Sequence, residues 1–123
     1  RMHKYGSAEE LYRRVVNLKP KEARIYLSAA SFYLKMKQNV TYAQQLFLAA
    51  LKREPYNVRA LLRYANYLEH YRHDASAASE FYLKAVDSRA IGSLDAQAEA
   101  LMEMARFCQT KAKDLGKAEE GYR

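Results

Sequence analysis

The chain has 123 residues, 50% of them apolar and 28% charged, which is enough for one folded domain with a core and too apolar for a disordered polymer. No apolar run approaches the ~20 residues that cross a bilayer, so no membrane-spanning helix and no membrane partner are expected. Net charge is +7, carried by the first half: up to Arg63 there are 13 Lys and Arg against 4 acids, giving +9, and from Tyr64 onward 8 against 10, giving −2.

In chain order, Ser7 and Glu10 stand at capping-box spacing and introduce a first helix that runs to about Lys19, where Pro20 stops it. A second helix, over about 22–37, places Ile25, Tyr26, Ala29, Ala30 and Tyr33 on one side. Gln38, Asn39 and Val40 turn the chain. The third helix carries Ala43, Leu46, Phe47, Ala50 and Leu51 at steps of three and four, the stripe that one helix face presents to a core, and Pro55 ends it. Asn57 caps a fourth helix over about 58–72, with Leu61, Tyr64, Ala65 and Leu68 inward. After a turn at 73–75, a fifth helix carries Ala78, Tyr82 and Ala85 and runs to about Ser88. Ser93 then caps a sixth, over about 94–113, with Leu101, Met104, Ala105 and Cys108 predicted to face inward, and a seventh begins near Ala118.

These helices repeat. Ala8, Tyr12, Val15, Val16 and Pro20 recur 35 residues later as Ala43, Phe47, Ala50, Leu51 and Pro55, and 35 later again as Ala78, Tyr82, Ala85, Val86 and Ala90; Ala118 and Tyr122 begin a further copy displaced by 40. The intervening helices correspond too: Tyr26, Ala29, Ala30 and Tyr33, then Leu61, Tyr64, Ala65 and Leu68, then Leu101, Met104, Ala105 and Cys108. A fixed period in this range marks a solenoid, whose units cannot bury their apolar faces alone. Ala30, Ala65 and Ala105 each precede the next helix's opening alanine by 13 residues, where a small side chain lets two helix axes approach.

The series Tyr26, Ala30, Ala43, Phe47, Ala50, Pro55 resembles the tetratricopeptide repeat, and Leu61, Ala65, Ala78, Tyr82, Ala85 matches it except at Ala90, where proline is usual. The period is 35 rather than 34, and the Trp and Gly frequent in the first helix are absent. Half-a-tetratricopeptide repeats of RNA-processing scaffolds are the alternative, but the openings Ala8-Glu9, Ala43-Gln44 and Ala78-Ser79 lack their Ala-Arg pair. The resemblance implies an all-α, right-handed superhelix of about seven antiparallel helices. It divides the chain into a half repeat (1–21), two repeats (22–56 and 57–91) and a partial one (92–123), as an excerpt of a larger protein. Gly6 to Arg13 (GSAEELYR) and Gly116 to Arg123 (GKAEEGYR) are near-copies at its two ends, so self-association through open solenoid ends is expected.

Such repeats are scaffolds that bind a peptide or partner helix on the exposed side of each unit's first helix. Carried onto this chain, that lining is Arg24, Leu27, Ser28, Ser31 and Lys35, then Arg59, Leu62, Arg63, Asn66, Glu69 and His70, then Glu99, Met102, Glu103 and Arg106. Arg59 and Arg63 sit one turn apart and with Arg24 suit a carboxylate or phosphate, because guanidinium forks bind such groups through paired hydrogen bonds. Chaperone-tail receptors of the family need an Asn where Ser28 stands, or Lys and Arg where Glu99 and Glu103 stand, so this chain departs from them. A protein or peptide partner with acidic groups is therefore expected, with nucleic acid on the basic half, through Arg13, Arg14, Lys19, Lys21, Lys52 and Arg53, as the second reading.

The remaining candidates read as structure. His70, His73 and Asp74 lie at helix-like spacing but lack a second ligand cluster, so no metal is expected. Cys108, the sole cysteine, rules out an internal disulfide, suits a reducing compartment, and on an apolar stripe reads as a buried, inert thiol. Tyr12, Tyr26, Tyr33, Tyr64 and Tyr82 fall on inward faces and read as core. No phosphate loop, nucleophile motif or paired-carboxylate site is present, so neither an enzyme nor a cofactor is expected. No charged-then-apolar leader opens the chain, and an intracellular location is expected, cytoplasmic or alternatively nuclear, although a start at Arg1 leaves room for a leader upstream.

Overall fold

The computed structural model describes residues 4–87 and 94–121, with side chains for 8–87 and 94–113. Among the described residues the chain is all-α, with six helices: α1 (Lys4–Asn17), α2 (Ala23–Lys35), α3 (Val40–Arg53), α4 (Val58–His70), α5 (Ala75–Asp87) and α6 (Leu94–Gly121). No strand occurs among the described residues, and no described helix is long and apolar enough to cross a membrane.

Local chemistry sets the helix ends. The first N–H groups of a helix have no partner within it, and short polar side chains supply one. Asn39 Oδ1 accepts from the Tyr42 amide at 3.1 Å, Asn57 Oδ1 from Ala60 at 3.0 Å, and Asp74 Oδ1 from Ala77 at 3.1 Å, opening α3, α4 and α5. At α2 the N-cap residue Glu22 makes no such bond. Instead the Ala23 amide donates to the Glu54 carboxylate at 2.6 Å, so the residue that closes α3 also opens α2.

The turns repeat as well. Gln38 (φ 51°) and His73 (φ 53°), 35 positions apart, both take the left-handed conformation. The next amide donates back six residues at each, Asn39 to the Tyr33 carbonyl (2.9 Å) and Asp74 to that of Leu68 (3.0 Å). Each bond closes the turn between one helix and the start of the next. Repetition in sequence is thus repetition in backbone.

Each helix packs on the next, most extensively α2 on α3 and α4 on α5, while α2 also touches α4, and α4 touches α6. Ala30, Ala43, Ala50, Ala65, Ala78 and Ala85 are buried together with Phe47 and Tyr82, as their spacing predicts. Tyr26, Tyr33, Tyr64 and Tyr82 are core residues and Tyr12 is half-buried against them. Rings link the layers: Tyr64 lies edge-on to Phe81 at 4.7 Å, and Phe47 contacts Tyr67 at 5.3 Å.

Four expectations change. The described residues form six helices rather than the seven expected, because α6 continues through the break expected between about 113 and 118; that stretch holds no proline, and one glycine costs a helix only ~1 kcal/mol. Gly6 and Ser7 lie inside α1, which already begins at Lys4, so Ser7 does not stand at the cap position. On α6 the buried residues are Ala100 and Phe107, with Met104 half-buried, whereas Leu101 and Ala105 are exposed. Cys108 is likewise an exposed thiol rather than a buried one. The covered face of α6 is the one turned to α5, where Phe107 meets Tyr82 with ring centroids 5.0 Å apart. Pro55 follows the C-cap of α3 as expected. Ser93 and the side chain of Ala118 lie outside the described residues.

Candidate functional site: a trough along α2, α4 and α6

Helices α2, α4 and α6 each turn one polar face outward, and two open cavities lie along those faces. The first, about 300 Å³, is lined by Tyr12 from α1, by Arg24, Leu27, Ser28 and Ser31 from α2, and by Arg59 and Arg63 from α4. The second, about 310 Å³, is lined by Ser31 and Lys35 from α2, by Arg59, Arg63, Asn66 and His70 from α4, and by Glu99 and Glu103 from α6, over a floor that includes Leu34, Leu62 and Tyr67. Ser31, Arg59 and Arg63 line both, so the cavities are two stretches of one trough. Each is at the lower end of the size that encloses a small ligand, and suits side chains of an extended or helical segment.

Charge is unevenly distributed along it. The first stretch holds three guanidiniums and no carboxylate among its lining residues. Arg24 is ion-paired with Glu22 at the exposed start of α2, and Arg63 Nη1 donates to Ser31 Oγ at 3.3 Å. Arg59 makes no side-chain hydrogen bond or ion pair among the described residues. Two of the three guanidiniums are therefore lightly engaged, and Arg59 is available among the described residues. At the far end Glu99 and Glu103 make the lining acidic, and Asn66 Nδ2 donates to Glu103 Oε1 at 3.2 Å.

Twelve of the fifteen groove residues expected from the sequence line the trough, with Leu27 and Leu62 buried in its floor, whereas Glu69, Met102 and Arg106 line neither stretch. Of these three, Arg106 is engaged elsewhere. Its Nη2 donates to Glu69 Oε1 at 2.8 Å and to the Tyr82 hydroxyl at 2.9 Å, its Nη1 donates to Glu69 Oε2 at 3.4 Å, and its Nε to Glu103 at 3.4 Å. The Tyr82 hydroxyl donates to Glu69 Oε1 at 2.8 Å. These bonds join α4, α5 and α6, so Arg106 ties the helices together and lines neither stretch of the trough. Hydrogen bonding to Glu69 raises its pKa further. Burial and the same carboxylate hold the Tyr82 phenol well above its usual range. Burial alone would raise the Glu69 carboxyl, but the bonds from Arg106 and Tyr82 outweigh it and leave it lowered.

Sequence reasoning missed Tyr12, which the packing of α1 on α2 brings to the first stretch, and Tyr71, just past α4 in the second. Tyr12 sits in a helix read only for its core, and Tyr71 is the C-cap of α4, past the positions assigned to the groove, so repeat position offered no signal for either. Asp74, grouped by spacing with His70 and His73, is spent capping α5. Among the described residues no cluster of His, Cys, Asp and Glu could hold a metal ion. Compared with protein-family models and with curated proteins, the sequence matches none.

Proposed function

We propose that the chain is a protein-interaction module, a right-handed superhelix of tetratricopeptide-like units whose trough along α2, α4 and α6 receives a peptide or partner helix. The backbone repetition at Gln38 and His73 and at the caps Asn39 and Asp74 supports the repeat reading. The observation that carries the binding reading is the first stretch of the trough, where Arg24, Arg59 and Arg63 converge on a cavity that no carboxylate lines. An anionic side chain or terminal carboxylate placed there gains charge-assisted bonds from planar forks, and Ser28, Ser31 and Tyr12 add hydroxyls. Glu99 and Glu103 then favour a cationic side chain farther along the same segment.

The nucleic-acid reading, as a scaffold of the half-a-tetratricopeptide kind, rests on exposed Arg14, Lys19, Lys21 and Lys52. The other two of the six basic residues expected there are otherwise engaged: Arg13 is paired with Glu9 at 2.9 Å, and the Arg53 guanidinium lies 6.0 Å from the Tyr26 ring centroid. An array of acidic, neutral and basic peptide segments with single-stranded RNA spotted beside them, probed at several salt concentrations with the wild type and with Arg59→Glu/Arg63→Glu, tests the proposal. Acidic segments should be retained by the wild type and lost by the variant. Equal retention by the two, or retention only of single-stranded RNA with steep salt dependence, overturns it.

A further inference from the structure

A third cavity, of about 340 Å³, adjoins the second stretch of the trough, with His70 in the lining of both. Its walls are Glu69 and His70 at the end of α4, His73 in the turn to α5, and Phe107, Thr110 and Lys111 on α6. The side of α6 involved is the one turned to α4 and α5, where Phe107 meets Tyr82.

The floor is apolar and the rim is made of donors. Phe107 is buried, whereas His70, His73, Thr110 and Lys111 are exposed. The Lys111 ammonium stands 6.0 Å from the Phe107 ring centroid, which keeps it over that floor. Glu69 supplies the only carboxylate among the described lining residues, and its oxygens are occupied. Oε1 accepts from Arg106 Nη2 and the Tyr82 hydroxyl, and Oε2 accepts from Arg106 Nη1, so the guanidinium offsets its charge. His70 Nε2 stands off Oε1 at 3.7 Å, beyond hydrogen-bonding distance. Asp74, next to His73, is taken up by the first turn of α5. What remains to meet a ligand is one ammonium, one hydroxyl and two imidazoles, and an imidazole donates an N–H whether or not it is protonated.

Corresponding positions one repeat earlier carry other chemistry. Shifted by 35 residues, His73 answers to Gln38 and Ala75 to Val40; shifted by 40, Phe107 and Lys111 answer to Tyr67 and Tyr71. The apolar frame is kept, while a carboxamide and a phenol give way to an imidazole and an ammonium. Gln38 and His73 hold the same left-handed backbone, so the change is one of rim chemistry and not of fold.

Four donors around one recess suit an anion with three oxygens to share among them better than a carboxylate, which has two. We propose that this cavity is a phosphoryl-binding subsite at the far end of the trough, taking a phosphorylated side chain of the segment that the trough receives. Its place in the trough rests on the binding proposal above; its affinity for the anion does not.

Inorganic phosphate is the first probe, titrated into the whole chain at neutral pH and constant ionic strength. The imidazole NMR signals of His70 and His73 should shift together and saturate. His73→Gln/Lys111→Gln puts at position 73 the residue type that Gln38 shows to be compatible with this turn. It should keep the helical spectrum and weaken phosphate binding at least several-fold, read on His70, whereas Arg24→Gln/Arg59→Gln, in the first stretch, should leave it unchanged. A titration that does not saturate overturns the proposal, as do shifts that chloride at equal ionic strength reproduces, or a His73→Gln/Lys111→Gln variant that binds phosphate as the wild type does. Segments retained in the peptide array are then remade with phosphoserine or glutamate at successive positions. Phosphoserine at one position should strengthen retention at least several-fold over serine, and glutamate there should do less. The His73→Gln/Lys111→Gln variant should lose that gain while still holding the unphosphorylated parent. A gain at no position, a gain that the variant keeps, or an equal gain from glutamate overturns the assignment. If the array retains no segment, the trough proposal fails, and the phosphate titration alone decides whether the anion site exists.

Discussion

Gln38 and His73 hold left-handed backbone that a β-carbon disfavours by roughly 1–2 kcal/mol. Glycine takes this conformation without that penalty, although it loses more freedom on folding. Gln38→Gly, at an exposed turn, should therefore stabilise the chain by about 0.5–1 kcal/mol, read as a higher urea midpoint with an unchanged slope; a lower midpoint would mean that the turn is not strained. Arg106 is the opposite kind of residue. Removing it leaves the largely buried Glu69 carboxylate without its strongest partner, and Arg106→Ala should cost about 2–4 kcal/mol at neutral pH, whereas removal of exposed Arg59 should cost less than about 0.5 kcal/mol. Position in the repeat put Arg106 in the trough, since it follows the series Ser31, Asn66, Arg106. Spacing within one helix cannot show that Glu69 and Tyr82 reach it from two others.

At the scale of the element, the alanines determine how closely paired helices lie. Ala65 on α4 and Ala78 on α5 are both wholly buried, and these two helices pack on each other extensively. Ala65→Leu should overpack that contact and destabilise the chain by about 1–3 kcal/mol, while Ala98→Leu, on an exposed position of α6, should change stability by less than about 0.5 kcal/mol; equal effects would show that α4 and α5 can separate without loss. The pairing alanines, the inward tyrosines, the cap Asn57 and the turns at Gln38 and His73 were legible in the sequence because each depends on near neighbours in one repeat. The exposed face of α6 was not. Leu101, Ala105 and Cys108 do form one helical stripe, as their spacing says, but whether a stripe is covered depends on a second helix, and α6 continues where that helix was expected. Nor was the Glu54 bond to Ala23 legible, since it spans 31 residues between a helix end and a helix start.

For the molecule as a whole, the contacts that tie helices to one another include carboxylates, which makes cohesion depend on pH. Glu54 is lowered first by the Ala23 amide and then by Asn57, and it links α3 to the start of α2. Glu69 is lowered by Arg106 and Tyr82 against the effect of burial, and links α4 to α5 and α6. A carboxyl whose pKa is lower folded than unfolded contributes stability that is fully present above its unfolded value, 4.5 for both, and is lost as pH falls through the lowered folded value. The sign is therefore destabilising on acidification, and the loss begins below about pH 4.5 rather than near neutrality. Protonating acids also raises the positive charge of a chain already at +7, which adds self-repulsion in the same direction. Urea midpoints should accordingly hold steady from pH 7 to about pH 5 and fall below it. Glu54→Gln/Glu69→Gln should start lower at pH 7 and fall less on acidification, since its two ties no longer titrate. A wild-type midpoint that is flat to pH 3, or a double variant that falls as steeply as the wild type, would show that these two carboxylates do not hold the helix pairs together.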